Sequence, residues 1–139
     1  MNNLSFHITD ITANSIRANA SEIGLSVEEQ DARIVIRITD NGSGMDAETA
    51  RRVTNPFYTT RTTRKVGLGL PFLIQNAEQT GGSVTLTSEP GKGTEVRAVF
   101  HSDHIDCPPW GDLPGTVALL ITGNPEINVC FEYRSGETG

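Results

Sequence analysis

The sequence predicts an α+β protein in which helices pack on one face of a mixed β-sheet. Isoleucine recurs at every second position from Ile34 to Ile38, as in a strand with one face on a core. Residues 83–87 and 94–100 also alternate, and a Pro- and Gly-rich turn separates them, which predicts a β-hairpin. The resulting order of helix, strand, helix, loop, helix, strand and strand is typical of helices on one side of a sheet.

Composition limits what this fold can bind. A length of 139 residues predicts one main domain. Because 11 Lys and Arg face 17 Asp and Glu, the net negative charge argues against a nucleic-acid partner. The chain has no apolar run long enough to span a bilayer and no signal-peptide pattern. Its two cysteines, Cys107 and Cys130, are too few for a disulfide framework. We therefore expect a cytoplasmic protein without membrane insertion.

The central strand ends at a carboxylate and a glycine turn. Asp40 follows the isoleucine alternation, and Gly42 and Gly44 come directly after it. A carboxylate can accept a hydrogen bond from an exocyclic amino group such as that of adenine. Glycines let the backbone approach a ring without a Cβ in the way. This pattern predicts a purine pocket, and the alternative is an ordinary hairpin, because Asp-Asn-Gly is also a turn signal.

The first helix is predicted over residues 5–20, with Ser5 as the N-cap. Asp10 and Asn14 are four residues apart and project from the same side of that helix. Their oxygen atoms suit a hard cation such as Mg²⁺, although polar residues on an amphipathic helix can equally form its solvated face. Residues 21–30 are predicted to be a loop that leads into the central strand.

A second group of residues is predicted to surround phosphates. Residues 46–53 are predicted to form a short helix, and the basic, hydroxyl-rich residues 57–65 an exposed loop. That loop either closes over phosphates or is an ordinary solvated loop. Gly67 and Gly69 then precede a helix over residues 72–80, whose free N–H groups form an anion site. Gly81 is predicted to end this helix in a left-handed cap.

These motifs, taken in order, resemble the sequence boxes of the GHKL ATPases. That family includes histidine kinases, anti-sigma serine kinases, type II topoisomerase subunits, mismatch-repair ATPases and heat-shock chaperones. The motif sequences are most similar to those of the ATP-binding domain of bacterial sensor histidine kinases. The matching boxes are Asp10-x-x-x-Asn14, Asp40-x-Gly42-x-Gly44, Asn55-Pro-Phe57-Tyr-Thr-Thr60, Gly67-x-Gly69-Leu70 and Gly91-x-Gly93-Thr94.

The resemblance implies the Bergerat fold, a two-layer α/β sandwich, with ATP and Mg²⁺ as cofactors. It implies that Asn14 holds Mg²⁺ and that Asp40 accepts the adenine amino group. It also implies that Asp10 stands where ATP-hydrolysing relatives carry a glutamate base, and aspartate is one methylene shorter. It further implies that Gly42 and Gly44 flank the base and that Thr94 supports the adenine pocket. Phe57 would anchor the ATP lid, and Gly67 and Gly69 would contact the phosphates.

The resemblance covers roughly residues 4–100. We predict that residues 1–101 are the ATP-binding domain and that residues 102–139 are an extension. Strands at residues 117–122 and 127–133 suggest a linker followed by a β-hairpin. An alternative for residues 101–107 is a metal site, because His, Asp and Cys are competent ligands there. A strand edge left open in this extension would be a docking site.

Three functions remain open at this point. The leading one is a histidine-kinase catalytic domain that presents the γ-phosphate to an acceptor on another domain or protein. No dimerising helical hairpin or phosphoacceptor box is recognisable in the chain. The alternatives are an anti-sigma-like serine kinase regulator and a module that senses ATP without catalysis. Each of them involves ATP and a protein partner, either an acceptor or a regulator.

Overall fold

The structure is a computed structural model that describes residues 3–44, 48 and 69–135. Three helices and five strands lie within these residues. They follow the order α1 Leu4–Arg17, β1 Glu22–Gln30, β2 Arg33–Asp40, α2 Gly69–Gln79, β3 Ser83–Glu89, β4 Gly93–His101, α3 Leu113–Gly123 and β5 Asn128–Ser135. The described residues do not include Phe57, Gly67 or the loop predicted at residues 57–65. Of the short helix predicted at residues 46–53, they include only Glu48.

The five strands form one mixed sheet in the order β3-β4-β2-β1-β5. The pairs β3/β4, β4/β2 and β2/β1 are antiparallel, whereas β1 and β5 are parallel. Alternate residues of β1, β2 and β4 are buried, so one face of the sheet carries the core. Residues of α1, α2 and α3 belong to the same core cluster. The predicted mixed sheet with helices on one face is therefore confirmed.

The hairpin of β3 and β4 and the end of α2 are also confirmed. The two strands pair from Ser83↔Val99 to Glu89↔Gly93. Gly81 has a φ of +88°, which is the left-handed conformation expected at a helix C-terminus. The N–H of the next residue, Gly82, donates to the carbonyl oxygen of Ala77 at 3.0 Å, which satisfies a carbonyl of the last turn.

The prediction of a loop over residues 21–30 is wrong, because this segment is the strand β1. It pairs with β2 from Ile23↔Asp40 to Gln30↔Arg33. Its apolar residues Ile23, Leu25 and Val27 alternate and are buried, but Gly, Ser and Glu between them weaken the strand signal. The connecting turn uses Asp31 and Ala32, both with positive φ, a conformation that tight hairpins require.

The predicted start of the first helix is also wrong. Asn3 is the N-cap, and its side-chain oxygen accepts from the N–H of Phe6 at 2.7 Å. The Ser5 hydroxyl lies inside the helix and donates to the carbonyl oxygen of Trp110 at 2.6 Å. Ser5 therefore fastens α1 to the segment that follows β4.

The predicted C-terminal β-hairpin is wrong in its first half, because residues 117–122 lie in the helix α3. Asp112 caps this helix by accepting from the N–H of Gly115 at 3.1 Å. The apolar run is short and nearly uniform, so its periodicity does not separate strand from helix. The sheet topology decides in favour of the helix. Because β5 is parallel to β1 and β4, the chain needs a crossover connection between β4 and β5. The boundary between residues 101 and 102 stays a prediction, although β5 lies in the same sheet as the four preceding strands.

Candidate functional site

Asp40 is at the C-terminal end of β2, where its carboxylate is held from two sides. The Ser15 hydroxyl of α1 donates to Oδ2 at 2.6 Å. The backbone N–H of Gly42 donates to Oδ1 at 2.8 Å. A carboxylate oxygen has two acceptor sites, so each oxygen keeps one for a ligand. Asp40 is half-buried, and its carboxylate is thus oriented without being closed off.

Ser15 is the site residue that sequence reasoning missed. Ser15 is buried on α1 together with Ile8 and Ile11, on the apolar face of the helix. A buried hydroxyl requires a hydrogen-bond partner, and this requirement was the signal available in the sequence. The sequence does not show which group provides that partner, because Asp40 is 25 residues away in the chain.

The glycine turn after Asp40 closes against two other parts of the protein. A Cβ on Gly42 would lie 2.8 Å from the carbonyl oxygen of Ala18, and the N–H of Ser43 donates to that oxygen at 2.9 Å. Gly44 has a φ of +71°, and a Cβ there would overlap the carbonyl of Glu89. Both glycines are therefore needed for close backbone contact within the chain, whatever they contact in a ligand.

The neighbouring strand β4 begins beside Asp40. Thr94 is the register partner of Asp40 in the β2/β4 ladder, and its hydroxyl lies 2.8 Å from the Ser88 hydroxyl. Gly93 has a φ of +124°, and a Cβ there would overlap the carbonyl oxygen of Asp40. The structure thus brings together Asp40, Thr94 and the glycine turn, which are far apart in the sequence.

On α1, Asn14 directly precedes Ser15, and Asp10 lies one helical turn before Asn14. The side-chain oxygen of Asn14 accepts from Nη2 of Arg17 at 2.6 Å. Burial raises the pKa of the Asp10 carboxyl above its ordinary value, and the Arg17 guanidinium partly offsets this rise. An amide oxygen is a hard donor with a second lone pair, which fits Mg²⁺, an ion that uses one or two protein ligands and keeps several waters.

The predicted phosphate region is described only in part. Gly69 is the first residue of α2, so the helix begins three residues earlier than predicted. The first N–H groups of a helix have no partner within it, and the positive end of the helix dipole attracts anions. The beginning of α2 is therefore the part of the described chain that suits a phosphate.

The alternative metal site after β4 is not formed. Nowhere among residues 3–44, 48 and 69–135 do three His, Cys, Asp or Glu side chains converge as metal ligands. The Nδ1 atom of His104 instead accepts a hydrogen bond from the backbone N–H of Asp106 at 3.0 Å.

None of the helices in the described ranges combines the length and hydrophobicity that a membrane span requires.

The mixed sheet has helices on one face, and at the end of its central strand an oriented carboxylate lies beside a glycine turn. This is the arrangement that the sequence predicts for a nucleotide-binding domain. The chain belongs to the family of histidine kinase-, DNA gyrase B- and HSP90-like ATPases, whose model matches residues 3–104. The chain therefore carries an ATP-binding domain of the histidine-kinase type.

Three curated relatives support this assignment. The chain is 29% identical to the sensor histidine kinase YxdK of Bacillus subtilis over 70% of its own length and 32% of that protein. It is 30% identical to sporulation kinase C of the same organism, over 71% of the chain and 23% of the relative. It is 34% identical to the sensor kinase CckA of Brucella abortus, over 65% and 10%. The chain thus spans a third or less of each of these relatives.

Proposed function

We propose that this chain binds Mg-ATP and presents the γ-phosphate to an acceptor on another domain or protein, as the catalytic domain of a cytoplasmic histidine-kinase-type signalling system. The observation that carries the proposal is the Asp40 carboxylate, which Ser15 and the Gly42 N–H orient at the end of β2. In the bound state Asp40 accepts a hydrogen bond from the adenine amino group. Gly42 and Gly44 lie along the base, and Thr94 supports the pocket from β4.

The proposed metal ligand is Asn14. The Asn14 amide oxygen would hold the ion, which would supply positive charge to the phosphates of ATP. Arg17, whose guanidinium contacts the Asn14 oxygen, places a second positive charge beside the same position. Phe57 is proposed to anchor the lid, and Gly67 and Gly69 are proposed to meet the phosphates at the beginning of α2.

The burial of His7 supports an acceptor that is supplied in trans. His7 is only 1% exposed, and its Nε2 is 2.8 Å from Nδ2 of Asn76, so it is not accessible to a phosphate. Asp10 is proposed as a weak base at most, because its side chain is one methylene shorter than the glutamate of hydrolysing relatives. The rate of phosphoryl transfer depends mainly on how the acceptor is positioned, and in this proposal the partner positions it.

The adenine contact is tested with Asp40→Asn. We expect ATP binding, measured by calorimetry, to weaken about 10-fold or more, because a hydrogen bond to a charged group contributes roughly 1.5–3 kcal/mol. Asp31→Asn, at the exposed turn before β2, is the matched control and should leave the affinity unchanged. GTP should bind poorly to all three proteins. Equal affinity of the wild type and Asp40→Asn for ATP would refute the pocket.

The metal ligand is tested with Asn14→Ala. We expect ATP binding to lose its dependence on Mg²⁺, while ADP without metal binds nearly as before. Both affinities are measured by calorimetry with and without chelator. An unchanged Mg²⁺ dependence would assign the ion to other residues and leave the adenine pocket untouched.

The acceptor class is tested by incubating the protein with γ-labelled ATP and a lysate of its own host. Phosphohistidine is labile in acid and stable in base, whereas phosphoserine is stable in acid. An acid-labile labelled product supports the histidine-kinase proposal. An acid-stable product would instead favour the serine-kinase alternative, and no labelled product would favour the ATP-sensing module.

A further inference from the structure

The outer edge of β5 is the starting point. On its inner side β5 pairs with β1 from Glu22↔Asn128 to Glu29↔Ser135. Within the described part of the chain, no strand lies on its outer side. Half of the N–H and C=O groups of an edge strand point outward, and proteins usually protect such edges with charged side chains, especially Lys, with Pro or with a bulge. The charged residues of β5 are Glu132 and Arg134, which have opposite signs. The strand Asn128–Ser135 contains neither Pro nor Lys and pairs without interruption.

The apolar face of the sheet continues onto β5 and becomes exposed there. Phe131 and Tyr133 are the register partners of Leu25 and Val27, which are 2% and 0% exposed. Phe131 and Tyr133 are 40% and 49% exposed. Tyr133 is held in place, because its hydroxyl donates to Glu29 and its ring contacts Trp110. An ordered aromatic pair therefore flanks the open edge.

The opposite edge of the sheet differs in this respect. On β3 the corresponding apolar residues, Val84 and Leu86, pack against the core. Exposure of large apolar side chains is thus concentrated at the C-terminal side of the described chain, since α3 contributes Leu119 and Ile121 as well. This asymmetry indicates that β5, rather than β3, is the edge strand whose apolar side chains remain available for burial by a partner.

The other face of β5 carries one negative and one positive side chain, and these can match the corresponding charges of a second copy of the strand. Glu132 and Arg134 are both exposed and form an ion pair at 3.3 Å. If two β5 strands pair antiparallel about a two-fold axis normal to the sheet, residues opposite each other lie on the same face. With Tyr133 on the axis, Glu132 of each copy faces Arg134 of the other. Moving the axis to residue 132 or 134 places like charges opposite each other, which is unfavourable.

We propose that this edge is a self-association surface, at which two copies of the chain join their sheets by antiparallel pairing of β5 with β5, with Tyr133 on the two-fold axis. The occupant is a second copy because the charge pattern of Glu132 and Arg134 complements itself about the axis. Pairing would cover Phe131 and Tyr133 and add two reciprocal ion pairs.

This surface goes beyond the proposed ATP site and lies away from it. Asp40 is aligned with Ile23 and Val129 across the sheet, and Tyr133 is four residues further along β5. That separation is about 13 Å at the rise of a strand. Self-association therefore leaves the nucleotide pocket open, and the two properties can be measured separately.

The test uses the whole chain and exchanges charges on β5. Sedimentation equilibrium should detect a concentration-dependent dimer of the wild type. Glu132→Arg and Arg134→Glu should each weaken dimerisation about 10-fold or more, because both contacts between residues 132 and 134 then join like charges. A 1:1 mixture of the two variants should recover a heterodimer, which native mass spectrometry identifies by its mass. The double variant E132R/R134E should recover the homodimer.

Far-UV circular dichroism is the control for correct folding and, like ATP affinity, should be the same in all four proteins. A wild type that stays monomeric up to about 0.5 mM, close to the millimolar range of the weakest specific complexes, would overturn the proposal. So would a dimer that both single variants form as tightly as the wild type, or a mixture without heterodimer. A site that binds no ATP would refute the proposed function and leave the dimerisation result unaffected.

Discussion

The hydrogen bond between Ser15 and Asp40 is the residue-scale feature on which the pocket depends. Removing the Ser15 hydroxyl leaves one carboxylate oxygen of Asp40 without its protein donor. We predict that Ser15→Ala lowers the free energy of unfolding by about 1–3 kcal/mol and weakens ATP binding several-fold. Both effects are measured, the first by urea unfolding and the second by calorimetry.

Ser5→Ala is the matched control for this prediction. Ser5 is also a buried serine of α1, and it donates to a carbonyl oxygen at the same distance of 2.6 Å, but toward Trp110. It should therefore destabilise the protein to a similar extent without changing ATP affinity. If both variants lose affinity equally, the Ser15 effect comes from loss of folding and not from orientation of Asp40.

His7 makes folding sensitive to acid. It is buried among Phe6, Phe72 and Phe100, and burial lowers its pKa from 6.5 to about 4. Since Nδ2 of Asn76 can only donate, Nε2 of His7 accepts and the ring proton is on Nδ1. Between pH 6.5 and about 4 the unfolded chain binds a proton that the folded chain does not. The stability is therefore complete above pH 6.5 and falls as the pH falls through this range.

We predict that His7 alone accounts for a loss of about 2 kcal/mol between pH 7 and pH 5. Urea unfolding at both pH values measures the loss in the wild type and in His7→Gln, whose side-chain oxygen can still accept from Asn76. The variant should lose about 2 kcal/mol less than the wild type, whatever its stability at pH 7. An NMR titration that places His7 near its ordinary pKa would contradict the assignment.

At the scale of elements, the contact between the end of β2 and the turn of β3 and β4 shapes the pocket. Gly93 allows β4 to begin against the Asp40 carbonyl. We predict that Gly93→Ala costs about 3 kcal/mol or more in stability, because it combines a strained φ with a backbone clash. ATP affinity should fall as well, because the clash moves the end of β2.

Gly91→Ala provides the comparison, since Gly91 belongs to the same turn and has a φ of +78°, with open space where the added methyl group would lie. It carries only the cost of a left-handed residue, about 1–2 kcal/mol. Thermal or urea unfolding of the two variants separates strain from clash. Equal costs would mean that the contact between Gly93 and Asp40 does not restrain the site.

For the whole molecule, the three histidines lead to a negative prediction. His7 belongs to the core, while His101 ends β4 and His104 lies in the turn that follows. His7 is held inside the protein on α1, the helix that also carries Asn14, and neither His101 nor His104 lies on a helix. We therefore expect that none of the three is presented in line with a γ-phosphate, which transfer requires. We predict that the isolated protein binds Mg-ATP but does not label itself. Mass spectrometry and acid-lability assays after incubation with Mg-ATP measure this, and stoichiometric phosphate on any histidine would contradict it.

Local sequence patterns determined the parts of the fold that lie close together in the chain. The isoleucine alternation of β2, the hairpin of β3 and β4, and the cap at Gly81 were predicted because each depends on a few neighbouring residues. The nucleotide class also followed from the sequence, because several short motifs occur in the order that the ATPase family uses. Asp40 was predicted as a candidate site residue by its position at the end of the strand β2.

Tertiary structure alone decided the features that depend on distant partners. Leu25 and Val27 of β1 are buried because β2 and β5 flank them, although the glycine, serine and glutamate between them are typical of a loop. The apolar run in α3 is compatible with a strand or a helix, and it becomes a helix because parallel β4 and β5 require a crossover between them. Ser15 acquires its role only when α1 lies beside the end of β2, since a hydroxyl in a sequence does not indicate which distant carboxylate it will contact.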